Sequence, residues 1–252
     1  ELVGLGQGKL TQFRGTEMSM IFQEPMSSLN PVFKIGDQLA EAIQIRRARK
    51  GGKEGGKSVK EEVLEYLGQV KINDPGNVIN RYPHELSGGM RQRIMIAMSL
   101  AQRPFLLIAD EPTTALDVTT QAQILLLMSE LTREYNMGML FITHDVGVAG
   151  MIASRIVVVY AGEIVEDSPV DDLFREALHP YTKGLMASAP SSFKGGERIE
   201  AIKGSMPNPT QVITGCKFHE RCPYVMERCL GTKPGLLDVG NGRKVRCFLY
   251  GG

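Results

Sequence analysis

The chain has 252 residues, 42% of them hydrophobic and 23% charged, with a formal net charge of +1. That length fits one sizeable α/β domain with an appendage, or two small domains, and the near-neutral charge excludes a global field for nucleic acid. No uninterrupted apolar run reaches membrane-spanning length and no signal-peptide pattern opens the chain, so a cytosolic-type polypeptide is expected, touching a membrane only through a partner.

In chain order, Gly4, Gly6, Gly8 and Lys9 suggest a phosphate loop, but the pattern G-x-x-x-x-G-K-[ST] needs glycine and a hydroxyl where Val3 and Leu10 stand. Residues 17–22 read as a short strand ending at Gln23. Two helices follow: Ile35, Leu39 and Ile43 line one face, and Val59, Val63, Leu67 and Val70 another, with Ser58 placed to cap the second. Between them, residues 46–57 are basic and hold four glycines, which predicts a solvated loop.

Ser87, Gly88 and Gly89 open a helix whose apolar residues Met90, Ile94, Ala97, Met98 and Ala101 recur at helical spacing. A helix start with bare glycine backbone presents unpaired N–H groups and partial positive charge, which suits a phosphate. Phe105 to Ala109 then form an apolar run of strand length that ends in Asp110 and Glu111. Strands of this kind are buried in parallel sheets, whose ligands bind beyond the carboxyl ends. There one acid can hold Mg²⁺ through its shell and the next can orient a water.

A long helix with Ile124, Leu127, Met128 and Leu131 on one face leads to a strand over 137–142, with His144 just beyond its end. Residues 155–160 and 163–167 read as strands around an Ala161-Gly162 turn. The alternation of strands and helices argues for a wound α/β core. The four cysteines lie late, at Cys216, Cys222, Cys229 and Cys247, separated by five, six and seventeen residues. Those gaps are wider than the usual zinc pairs, and two disulfides are inconsistent with a reducing compartment. Four thiolates with a Cys-Pro step suit an iron–sulfur cluster, although the spacing is not that of ferredoxins; from the residues alone, cluster, zinc and free or paired thiols stay open.

Taken together, Leu86-Ser-Gly-Gly-Met-Arg-Gln-Arg93 resembles the signature motif of ABC ATPases, and Leu106-Leu-Ile-Ala-Asp-Glu-Pro112 their Walker B strand with its catalytic glutamate. Met20-Ile-Phe-Gln-Glu-Pro25 resembles the Q-loop, Ala115-Leu-Asp117 the D-loop, and Ile142-Thr-His-Asp145 the switch-histidine segment. His179-Pro-Tyr-Thr-Lys-Gly-Leu185, with Ser188-Ala-Pro190, is similar to a segment of peptide-importer ATPases; Pro207-x-Pro209, Gly215-Cys216, Arg221-Cys222-Pro223 and Cys229 resemble their C-terminal extension.

The resemblance implies an ABC-type ATPase fold with a wound, mainly parallel sheet over residues 1–190, a helical subdomain at about 30–103, a linker near 191–198 and a cysteine-bearing extension over 191–252. It implies ATP and Mg²⁺ as cofactors: Glu111 polarises the water, Gln23 and His144 sense the γ-phosphate, Gln23 and Asp110 hold Mg²⁺, and Ser87, Gly88, Gly89 and Asp117 serve the nucleotide. In the cysteine extension it favours a [4Fe–4S] cluster on Cys216, Cys222, Cys229 and Cys247, with Zn²⁺ as the alternative. The implied function is the ATPase subunit of an importer of dipeptides or oligopeptides at the cytoplasmic face of the cell membrane. Its partners would be a second ATPase subunit, identical or different, two membrane-spanning permeases and, indirectly, an extracytoplasmic peptide-binding protein. The alternatives are nickel as cargo, or a non-hydrolysing structural partner. Without a Walker A loop in the sequence, the chain alone is expected to bind MgATP weakly and to hydrolyse essentially none.

Overall fold

A computed structural model describes residues 1–23, 28–49, 56–188, 202–208 and 210–251. Glu24 and Pro25 of the Q-loop-like segment, residues 50–55 of the basic stretch, Ala189, Pro190, the linker at 191–198 and Pro209 lie outside the described residues. The chain divides into two compact units, Glu1–Ile142 and Thr143–Gly252.

The first unit is built on three parallel strands, β1 (Met18–Ile21), β2 (Leu106–Asp110) and β3 (Gly138–Ile142), in the order β1-β2-β3. Gly8 and Lys9 stand inside a short helix, α1 (Gln7–Phe13). After β1 come α2 (Ile35–Arg49), α3 (Val59–Gln69) and a single turn, α4 (Pro75–Val78). Ile35, Leu39 and Ile43 of α2 and Leu67 of α3 are wholly buried, and Val63 is nearly so. Removing such a side chain from water contributes about 1.5–3 kcal/mol. Ser58 caps α3 in a reciprocal box: its hydroxyl accepts from Glu61 N at 3.2 Å, and the Glu61 carboxylate accepts from Ser58 N at 2.6 Å.

One expectation is corrected here. Arg46 and Arg47 do not belong to a solvated loop but to the last turn of α2, and Arg46 is fully buried. It donates to the Ala101 carbonyl at 2.7 Å and the Tyr66 hydroxyl at 3.0 Å, and both arginines pair with Glu62 of α3. A buried guanidinium needs a counter-charge and hydrogen-bond acceptors, and α3 and the next helix supply both to its terminal nitrogens. That next helix is α5 (Gly88–Ala101), apolar on more than one side: Ile94, Met95, Ile96, Ala97, Leu100 and Ala101 are all buried, whereas Met98 is half-buried. The unit is completed by α6 (Val118–Glu134), whose Ile124, Leu127 and Met128 join the core.

The second unit begins with α7 (Val146–Ile152) and the hairpin β4 (Arg155–Tyr160) and β5 (Glu163–Pro169), turning at Ala161-Gly162 with positive φ at both residues. Two short helices, α8 (Val170–Arg175) and α9 (Pro180–Ala187), follow. The tail adds α10 (Arg228–Gly231) and a second hairpin, β6 (Leu237–Gly240) and β7 (Arg243–Val245). These strands make one antiparallel sheet in the order β4-β5-β7-β6, so the tail hairpin extends the sheet of residues 155–169. The sequence boundary at residue 190 falls inside this unit. Among the described residues, no helix is long and apolar enough to cross a membrane.

Candidate functional site

Strand register brings the first group of expected residues together. Ile21 of β1 lies beside Ala109 of β2, so two residues further on Gln23 falls beside Glu111. The Gln23 amide nitrogen donates to Glu111 Oε2 at 2.9 Å across 88 residues of sequence. On the other side Asp110 lies beside Ile142 of β3, and Glu111 N donates to the Ile142 carbonyl at 2.9 Å. His144 follows two residues after that carbonyl, in the exposed bend before α7, whose first turn is capped by Asp145.

Glu111 leaves the strand with a φ of +44°, in the left-handed region. A non-glycine residue held there costs about 1–3 kcal/mol, and such strain persists only where its surroundings over-determine it. The kink turns the chain out of the pleat at the residue that carries the second carboxylate. The turn is closed by Thr114, whose amide donates to the Glu111 carbonyl at 3.1 Å and whose hydroxyl donates to Glu111 Oε2 at 2.9 Å. Thr114 was not singled out by the sequence; its only signal is a hydroxyl three residues after the acid, which turns use routinely.

A second group forms around the start of α5. Ser87 caps this helix, its hydroxyl accepting from Met90 N at 3.3 Å. Gly88 and Gly89 occupy the first turn, where amides have no intrahelical partner. A Cβ on Gly89 would stand 2.8 Å from the Thr120 methyl, and one on Gly88 would stand 3.7 Å from Leu116 Cδ2. Gly89 therefore lets the helix start pack directly on Thr120, whereas a Cβ at Gly88 would make only ordinary contact with Leu116. Asp117 caps α6, accepting from Thr120 N at 2.9 Å and the Thr120 hydroxyl at 2.6 Å; the latter bond above all holds its carboxyl below the usual range. Arg93 braces the arrangement from behind, donating to the Val70 carbonyl at 3.0 Å and Gln123 at 3.1 Å.

Chemically, the strand-end group offers oxygen ligands for a hard cation from Asp110 and Gln23, and a carboxylate that can orient and deprotonate a water from Glu111. Because an ionised carboxylate only accepts, Gln23 must face it with the NH₂, which leaves the amide oxygen for another partner.

The four cysteines are all free thiols, and all four line one cavity in the second unit together with His179, Phe218 and Phe248. Pairing of Val245 in β7 with Glu166 in β5 brings Cys247, two residues on, back to the others. Cys216 N donates to the Cys229 carbonyl at 2.9 Å, and a Cβ on Gly215 would fall 2.2 Å from that same oxygen, so only glycine fits there. Burial raises the thiols of Cys216, Cys222 and Cys247, while an amide two residues on, at Phe218, Tyr224 and Leu249, acts in the opposite direction on each. Among the described residues, no three His, Cys, Asp or Glu side chains are arranged to hold a single metal ion.

The His179 segment proves to be an anchor. His179 is 1% exposed, its Nδ1 accepts from Tyr181 N at 3.0 Å to cap α9, and burial pushes its pKa down to about 4. The fully buried Glu166 accepts from Leu178 N at 2.8 Å and His179 N at 2.9 Å, and Arg243 of β7 lies 3.4 Å from the same carboxylate.

Comparison with known proteins agrees with this geometry. Residues 5–114 match the ABC transporter family, and residues 165–229 match the C-terminal region of oligopeptide/dipeptide transporters. The chain is 48% identical to the oligopeptide transport ATP-binding protein AppD of Bacillus subtilis over 250 residues, covering 99% of this chain and 75% of that protein. It is 47% identical to the dipeptide transport ATP-binding protein DppD of Haemophilus influenzae over 247 residues, covering 98% of this chain and 73% of that protein. Among solved structures, it resembles the dimeric ATP-binding cassette MJ0796 in a post-hydrolysis state with ADP and Pi, with a TM-score of 0.57 and 28% identity over 66% of this chain and 68% of that one.

Proposed function

The chain belongs to the ATP-binding proteins of ABC transporters, and from that premise we propose that it is the ATP-hydrolysing subunit of a peptide importer, bound at the membrane through permease subunits. The observation that carries the reading is the meeting of Gln23, Glu111 and Thr114 at the carboxyl ends of parallel strands, where an attacking water needs a fixed acceptor. Two copies, or one copy and a related subunit, would close over ATP. The Gly88 and Gly89 amides and Ser87 of one would meet the γ-phosphate held by the other. Asp110 would hold Mg²⁺ through its shell, Glu111 would orient the water, and Gln23 and His144 would respond to the γ-phosphate. Catalysis then consists of positioning and electrostatic stabilisation. The ordered carboxylate at Glu111 disfavours a non-hydrolysing partner role.

For the permease, the first unit offers a groove of mixed character, lined by Val32, Phe33 and Val63 together with Lys34, Asp37 and Lys60, with Val32 71% and Phe33 53% exposed. A short helix presented by a membrane subunit would cover it. For the cargo, relatives named for oligopeptide and dipeptide transport favour peptide over nickel. In the cysteine cavity the reading is a [4Fe–4S] cluster, which when bound would clamp the tail rather than take part in hydrolysis. Three of its sulfurs already face an amide two residues on, which suits thiolates. The four thiols line one cavity, as ligation of one cluster by all four would need.

The function is tested by the ATPase rate of the transporter assembled from this subunit in a version that carries a Walker A loop, its permeases and the binding protein; the variants below are read in the same assembly. Di- or oligopeptides should raise that rate. Stimulation by nickel and not by peptides would overturn the cargo assigned here.

A further inference from the structure

Two hydrogen-bond donors converge on the same oxygen of Glu111, and they differ in kind. Gln23 Nε2 reaches Oε2 at 2.9 Å from a segment 88 residues away, just beyond the end of β1. Thr114 Oγ1 reaches Oε2, also at 2.9 Å, from within the turn that Glu111 itself opens. That turn is closed independently by Thr114 N on the Glu111 carbonyl at 3.1 Å, so the hydroxyl is held by backbone bonding and not by the side chain it serves.

The two donors cannot serve equally once a cation and nucleotide are in place. The hard ligand of a glutamine is its amide oxygen, and turning that oxygen to a cation changes what the NH₂ of the same planar group can reach. Gln23 is exposed and lies in a bend past the end of β1, whereas the Glu111 turn is fixed by its own backbone bonds and by Glu111 N on Ile142 O at 2.9 Å. A glutamate carries three side-chain torsions, and holding them in one arrangement has an entropic cost of about 1–2 kcal/mol. Without a standing donor, that cost would fall on the reacting complex.

We propose that Thr114 is a positioning residue for the water-orienting carboxylate: its hydroxyl fixes Oε2 of Glu111 throughout the cycle, while Gln23 is the donor that is exchanged. In this role Thr114 acts through Glu111, the side chain its hydroxyl bonds. The inference rests on the function proposed above, in which Glu111 orients the attacking water. A charge-assisted hydrogen bond of this type, lost from the step that uses the carboxylate, corresponds to a fall in kcat of roughly ten- to a hundredfold.

The test is ATP hydrolysis by the assembled transporter carrying Thr114→Val, Thr114→Ser, Glu111→Gln and the pair Thr114→Val with Glu111→Gln. Thr114→Val should lower kcat by roughly ten- to a hundredfold with KM for ATP changed less than about twofold. Thr114→Ser, which keeps the hydroxyl, should restore most of the rate. In the Glu111→Gln background, Thr114→Val should cause no comparable further fall, because the two act as one unit. Thr114→Val within twofold of wild type would overturn the proposal, and so would an equal loss in Thr114→Ser or an undiminished further loss in the Glu111→Gln background. If Thr114→Val does not fold, Thr114→Ala read in the same assays decides in its place. A wild-type transporter with no ATPase activity would overturn the underlying function instead, and the inference with it.

Discussion

Glu111 carries three constraints at once: an amide bonded to the neighbouring strand, a left-handed φ, and two donors on one carboxylate oxygen. Each belongs to a different part of the chain, which is how a residue in a sparsely populated conformation is kept there. At the same scale the cysteine cavity gives a colour test. Protein isolated without air should be brown, with about four irons and about four acid-labile sulfides per chain. Cys222→Ser should bleach it and make residues 210–251 more open to limited proteolysis, while the assembled transporter keeps at least part of its ATPase activity. Stoichiometric zinc without sulfide would replace the cluster by a zinc clamp. Legibility at this scale follows the kind of signal. Asp110 and Glu111 were readable because they end an apolar strand, whereas Gln23 was readable only through the resemblance of Met20-Ile-Phe-Gln-Glu-Pro25 to a Q-loop. Thr114 and Glu166 were not, because a hydroxyl in a turn and an acid in a strand have ordinary solvated uses; only burial and partners distinguish them.

Among the elements, the α2–α3 pair shows what periodicity detects and what it misses. The apolar faces of Ile35, Leu39, Ile43, Val63 and Leu67 were legible from their spacing, and so was the Ser58 cap. The charged seam between the helices was not, because Arg46 and Glu62 look like surface residues until both are seen buried and paired. Burial raises the Glu62 carboxyl, but the Arg47 and Arg46 guanidiniums outweigh it and hold the pKa below the usual value of 4.5. A carboxylate whose folded pKa is depressed contributes stability that is complete above its unfolded pKa and lost as pH falls through the folded one. Denaturant unfolding should therefore show an acid-sensitive step below about pH 4.5 that Glu62→Gln removes. At neutral pH the same substitution should cost about 3–5 kcal/mol, because it leaves Arg46 buried against a neutral partner. A cost under about 1 kcal/mol would mean that Tyr66 and the Ala101 carbonyl suffice for the guanidinium. The tail hairpin β6–β7 was illegible for a different reason. Its strands are short and largely polar, and they exist by pairing with β5, a tertiary effect that no local pattern records.

The molecule as a whole combines a parallel-sheet unit that carries Gln23, Asp110 and Glu111 at its strand ends with a unit whose antiparallel sheet is extended by the tail. The cysteines follow the same division, all four lying in the second unit. In the first unit the start of α5, which would receive a partner's phosphate, packs on Thr120 of α6 through Gly89. If Glu111 orients the water as proposed, hydrolysis and pairing should be separable by one substitution. The measurement is ATP turnover and ATP-dependent subunit pairing in the assembled transporter carrying Glu111→Gln. Turnover should fall by roughly a hundredfold or more while pairing in ATP persists and accumulates, because the phosphate contacts remain and only the orientation of the water is lost. Turnover near the wild-type rate, with ATP bound and pairing intact, would contradict the account and assign the water to another group.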